Sequence, residues 1–141
     1  MATPASFQLD IARFVDKAKG KTQQFAVEMI QELNGQVVEA TPVKTGFLRN
    51  SWYASLNGEP QGQGGDGTVA QMNLTASELK IGDTFRASNG AAYAMRIEFG
   101  FTGTDSLGRH YDQHPQSFVR ATLDRAPIIA DEVAQKIASE P

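Results

Sequence analysis

Thr41-Pro42-Val43-Lys44-Thr45-Gly46-Phe47-Leu48-Arg49-Asn50-Ser51-Trp52 is the stretch on which the fold turns. The residue before a proline is pushed out of the helical region, so Pro42 ends whatever helix precedes it. Gly46 permits a positive φ at the turn that follows. Beyond the turn, Phe47 to Leu56 alternates loosely and carries Trp52 and Tyr53. That pattern predicts a strand, with Trp52 presented to the helix just ended.

Upstream, Phe7, Ile11, Phe14, Ala18, Phe25, Met29, Leu33 and Val37 fall at steps of three, four or seven, with charges between them. This is one face of an amphipathic helix. A continuous helix over that span would be about 50 Å long at 1.5 Å per residue. Gly20 is the natural place for a break or bend, which predicts a short helix over 6–19 and a longer one over 21–40.

Downstream, Gly58 to Gly67 holds five glycines and reads as a flexible loop, either a surface excursion or a loop ordered only against a partner. Thr68 to Leu79 fits a short helix or a strand equally. Thr84 to Ser88 predicts a strand running into the Asn89-Gly90 turn, and Ala91 to Phe99 a helical turn or two. Phe101 to His114, rich in Gly, Thr, Ser and Asp, reads as a second exposed excursion. From Gln116 onward Val119, Leu123, Ala126, Ala130, Val133 and Ile137 recur at helical spacing, in a helix kinked or restarted at Pro127. The expected fold is α+β: a long N-terminal helix and a C-terminal helix packed on a small antiparallel sheet. One domain spans 1–141, with excursions near 57–67 and 101–114.

Composition excludes several functions. A chain of 141 residues with 40% apolar residues affords one core. It has no cysteine, hence no disulfide or thiolate metal site, as expected of a protein made in a reducing cytoplasm. Neither a signal peptide nor a run of about 20 apolar residues is present, so no membrane partner is expected. Thirteen Lys and Arg are scattered among sixteen Asp and Glu for a net charge of −3, whereas tight DNA binding needs clustered positive charge. Asn73-Leu74-Thr75 matches a glycosylation sequon and, without a secretory signal, reads as a chance match.

The search for chemistry returns little. The Gly62 to Gly67 run lacks the Lys-Ser or Lys-Thr of a phosphate loop, and there is no Gly-x-Ser-x-Gly elbow. On an extended chain His110, Asp112 and His114 would point to one face and could hold a divalent cation; the bland alternative is a polar loop before Pro115. Arg49 and Glu98 each sit beside apolar neighbours, so they either pair with each other or are surface charges. Trp52, Tyr53, Phe85 and Phe118 read as core.

Four stretches then read together: Thr41 to Trp52, Asn89 with Ala92-Tyr93-Ala94, Ile97-Glu98-Phe99-Gly100, and Pro115-Gln116-Ser117-Phe118-Val119-Arg120. In this order, after a long N-terminal helix, the chain resembles the neck and tail-completion proteins of tailed bacteriophages. The positions carrying the resemblance are Pro42, Thr45, Gly46, Arg49, Trp52, Asn89, Tyr93, Glu98, Gly100, Pro115, Phe118 and Arg120. It departs from the family pattern at Lys44, where an acidic residue is frequent, and in a longer segment after Gly100. The resemblance implies a structural virion protein rather than an enzyme, with no catalytic, metal or cofactor site. It implies partners that are copies of itself in a ring and neighbouring connector, stopper or tail-terminator proteins. Double-stranded DNA would be met only in transit, and the site of action would be the virion neck after assembly in the bacterial cytoplasm. A tail terminator or head-tail adaptor of the same virion is the alternative. A host-directed binding module reading through Gly58 to Gly67, or a metal-dependent hydrolase at His110, Asp112 and His114, lies outside that class.

Overall fold

The computed structural model describes residues 4–43, 46–60 and 67–140, with side chains from residue 10 onward. The fold is α+β, with five helices and two antiparallel two-stranded sheets among the described residues. Helix α1, Pro4–Ala40, is continuous, so the break expected at Gly20 does not occur. A glycine costs only about 1 kcal/mol relative to alanine inside a helix. The Thr22 hydroxyl also bonds the Ala18 carbonyl across the glycine at 2.8 Å. So small a local penalty is not enough to end the helix.

Packing of the second half of α1 begins level with Lys21. Its ammonium donates to the carbonyls of Ile137 (3.2 Å) and Glu140 (3.0 Å), closing the C-terminal end of helix α5, Ala126–Ser139. Phe25, Met29 and Leu33 of α1 then meet Ile129, Val133 and Ile137 of α5. Helix α4, Phe118–Asp124, precedes α5, and the chain restarts its helical path at Arg125–Ala126 with Pro127 inside the first turn, where a missing N–H costs nothing. Residues 10–20 of α1 have no such partner and are exposed, except that exposure begins to fall from residue 21 onward.

The expected strand over Phe47 to Leu56 is shorter. The chain makes a 3-10 turn at Arg49–Ser51 before strand β1, Trp52–Leu56. The segment Thr68 to Leu79 resolves to a helix, α2, Val69–Ser77, because the Thr68 hydroxyl caps it by accepting from Gln71 N at 3.0 Å. Met72 and Ala76, one turn apart, are its fully buried face. Strand β2, Phe85–Asn89, pairs antiparallel with β1 from Trp52↔Asn89 to Leu56↔Phe85. A short helix, α3, Ala94–Phe99, follows.

The segment read as a second excursion is a hairpin: β3, Phe101–Thr104, pairs with β4, His110–Gln113. Its turn is organised by Asp105, whose carboxylate accepts from Leu107 N, Arg109 N, Arg109 Nε and the Tyr111 hydroxyl. These bonds hold the Asp105 carboxyl below its ordinary value of 3.8, the Arg109 backbone N–H contributing most. Of the Gly58 to Gly67 loop, residues 61–66 lie outside the described residues. Among the described residues no helix is long and apolar enough to cross a membrane.

Candidate functional site

Arg49, Trp52, Asn89, Glu98 and Phe118 of the motif set fall around one junction where α1, β1, α3 and α4 meet. Thr41 closes α1: its N–H bonds the Val37 carbonyl at 3.1 Å and its hydroxyl donates to the same carbonyl at 2.6 Å. That hydroxyl, fully buried, also accepts from Trp52 Nε1 at 3.0 Å. Trp52 in turn stands edge-on to Phe118 of α4, with ring centroids 6.4 Å apart. One indole thus ties the end of α1 to the start of α4.

Arg49 does not pair with Glu98. Its Nη2 donates to the carbonyl oxygens of Glu39 (2.7 Å) and Thr41 (3.0 Å), placing a cation on carbonyls that the last turn of α1 leaves unbonded. Gly46 has a φ of 86°, and its carbonyl accepts from Asn50 N, while the Leu48 carbonyl accepts from Ser51 N at 3.2 Å to close the 3-10 turn. Thr45 lies outside the described residues, as does Lys44. Pro42 and Tyr93 line a cleft of about 610 Å³ together with Arg96 and Tyr111.

Glu98 is buried at the other end of the junction. Its Oε2 accepts from Val119 N at 2.9 Å and its Oε1 from Arg120 N at 3.0 Å. Ser117, the residue before α4, has a left-handed φ of 47° and caps nothing with its own side chain, so Glu98 supplies the cap from α3. The Glu98 and Ile97 carbonyls accept from Ser117 N and Gln116 N. The pairing that the sequence left open does not form: the Glu98 carboxylate accepts from backbone N–H groups at the start of α4, and Arg49 Nη2 donates to carbonyls at the end of α1, while its buried Nε makes no hydrogen bond among the described residues. The Arg120 side chain instead pairs with Asp124 at the surface.

Two further positions are geometric. Gly100 has a φ of 79°, and a Cβ there would stand 2.7 Å from the Gln113 carbonyl and 3.0 Å from the Pro115 ring. Only glycine lets α3 turn directly under Pro115. Asn89 joins the sheet to the junction by donating to the Leu48 carbonyl at 2.8 Å while accepting from Ala91 N.

Sequence reasoning missed Thr41 as a hydrogen-bond hub and Asn34 as a buried anchor. Asn34 Nδ2 donates to Asn73 Oδ1 at 3.1 Å, which pins α2 to α1 and gives the sequon asparagine a structural task. A polar residue on the apolar face between Leu33 and Val37 was the available signal. His110 and Asp112 lie on β4, and each bonds a threonine of β3; His114 lies beyond the strand. Among the described residues no three His, Cys, Asp or Glu side chains are grouped to hold a metal ion.

Most of the junction's polar groups are thus engaged, chiefly with backbone. What faces outward beside it is apolar: a groove of about 290 Å³ lined by Val37, Trp52, Phe85, Ala87, Val119 and Leu123, flanked by exposed Met95 and Phe99. Such a surface offers contact area. No family model, curated protein or solved structure matches this chain.

Proposed function

We propose that the chain is a structural protein of the head-to-tail connector of a tailed bacteriophage, a neck or tail-completion component that joins copies of itself in a ring through which DNA passes. One observation carries the reading. The residues of the ordered motif set, from Thr41 through Trp52, Asn89 and Glu98 to Phe118, hold one another and the backbone at a single junction. A motif whose members are spent on the fold marks a scaffold, and the chemistry of a scaffold is assembly. Exposed Phe99, Met95 and Leu123 beside the junction supply apolar surface of the kind that protein contacts cover. A heterologous contact between unlike patches closes into a ring when its rotation closes. The net charge of −3 suits a conduit, since a basic lumen would retain DNA through counterion release.

Deletion of the gene from the phage that carries it tests the proposal. The expected lysate contains DNA-filled heads and full-length tails that fail to join, or joined particles that do not deliver DNA. Normal particles with normal infectivity would refute it.

A further inference from the structure

Residues 10–20 of α1 are all exposed. Helix α5 reaches only to the level of Lys21, so Pro4 to Gly20 extends past it as a helical arm about 25 Å long. Ile11 and Phe14 are exposed on it, 47% and 72% respectively, so a large apolar stripe is left in water. The spacing of that stripe differs from the rest of the helix. Phe25, Met29 and Leu33, which pack on α5, are spaced by four. Ile11, Phe14 and Ala18 are spaced by three and then four, the a and d positions of a heptad, whose partner is another helix. Asp10 and Lys17, seven apart, then both fall at g positions beside the seam. Neither takes part in an ion pair among the described residues.

We infer that the arm is a self-association surface, which pairs antiparallel with the arm of a second copy of this chain. In an antiparallel pair the g flanks face each other. With Ile11 level with the second copy's Phe14, and Phe14 level with its Ile11, Asp10 lies within about 3 Å along the axis of the second copy's Lys17, and the reverse pair forms by symmetry. A parallel pair would face Asp10 with Val15 and form neither ion pair, because parallel seams oppose g to e. The charge pattern therefore selects both the occupant and its direction. The contact is isologous and closes at two copies, leaving the groove beside the junction free for other neighbours. With a seam of about two heptads, it lies below the area of a standard stable interface, so the dimer is concentration-dependent. This pairing does not rest on the connector reading, since the purified chain alone tests it.

Sedimentation of the full chain across a concentration series is the experiment. The expected result is a reversible monomer–dimer equilibrium, abolished by Phe14→Ser. Asp10→Lys and Lys17→Asp should each weaken it about tenfold by turning two attractive pairs repulsive. An equimolar mixture of the two charge variants should associate at least as well as the unmodified chain, because every facing g pair is then of opposite sign. All three positions are exposed, so thermal unfolding should be nearly unchanged and serves as the control for folding. A chain that stays monomeric throughout the series would overturn the inference. So would a mixture associating no better than either charge variant alone, or self-association lost in Leu123→Glu and unaffected by both charge changes, which would place the contact in the groove.

Discussion

Glu98 and Arg120 are joined through the backbone: the carboxylate accepts the Arg120 amide N–H at 3.0 Å, while the guanidinium turns away to Asp124. A charge that caps a helix from a neighbouring element does two things at once. It satisfies donors that α4 cannot satisfy itself, and it fixes the angle at which α3 meets α4.

Glu98→Ala should therefore destabilise the protein by about 1–3 kcal/mol, with Glu98→Gln losing less because one acceptor oxygen remains. Urea midpoints measure both. Since Arg49 and Glu98 serve different helix ends, Arg49→Ala combined with Glu98→Ala should lose the sum of the two within about 0.5 kcal/mol. A large coupling energy would mean that the two charges meet.

Trp52→Phe keeps an aromatic ring against Phe118 but removes the donor to Thr41. A loss of about 1 kcal/mol is expected, measured by denaturant titration. Thr41→Val should be costly too, and the double variant should lose less than the sum of the two, because both delete the same bond.

Much of this fold was legible because its signals are local. Pro42 stops α1, alternation with Trp52 and Tyr53 marks β1, and the run read as a strand over Thr84 to Ser88 marks most of β2. The uninterrupted path through Gly20 was not legible, since a glycine's cost of about 1 kcal/mol looks the same in a helix that breaks as in one that runs on. The junction was half legible. Its residue types stood out as a set, but sequence shows side chains beside one another and hides the backbone carbonyls and amides at helix ends, which Arg49 and Glu98 actually engage. The hairpin after Gly100 was missed for a related reason: its turn is built by Asp105 collecting four donors, and a polar, glycine-bearing segment looks the same whether or not such bonds form.

Two glycines should respond in opposite directions to alanine. Gly20→Ala meets nothing within 4 Å inside a helix and should stabilise by about 0.5–1 kcal/mol. Gly100→Ala forces a left-handed residue and a collision with the Gln113 carbonyl, and should destabilise by roughly 1–3 kcal/mol or more. Thermal melts of the two variants give the comparison directly.

The hairpin should loosen in acid. The Asp105 pKa is depressed in the folded chain, so its contribution is fully present above the unfolded value near 3.8 and is lost as pH falls through the lower folded value. Protection of the Leu107 and Arg109 amides, taken relative to their intrinsic exchange rates, should fall over that range in the unmodified chain. In Asp105→Asn the exchange should be faster already at neutral pH and lack this acid step.

Electron microscopy of virions carrying a tagged copy of this chain tests the placement in the connector. The tag is expected at the junction of head and tail, in several copies arranged around the axis. A tag found only on the capsid shell or the tail fibres, or absent from the particles altogether, would contradict it.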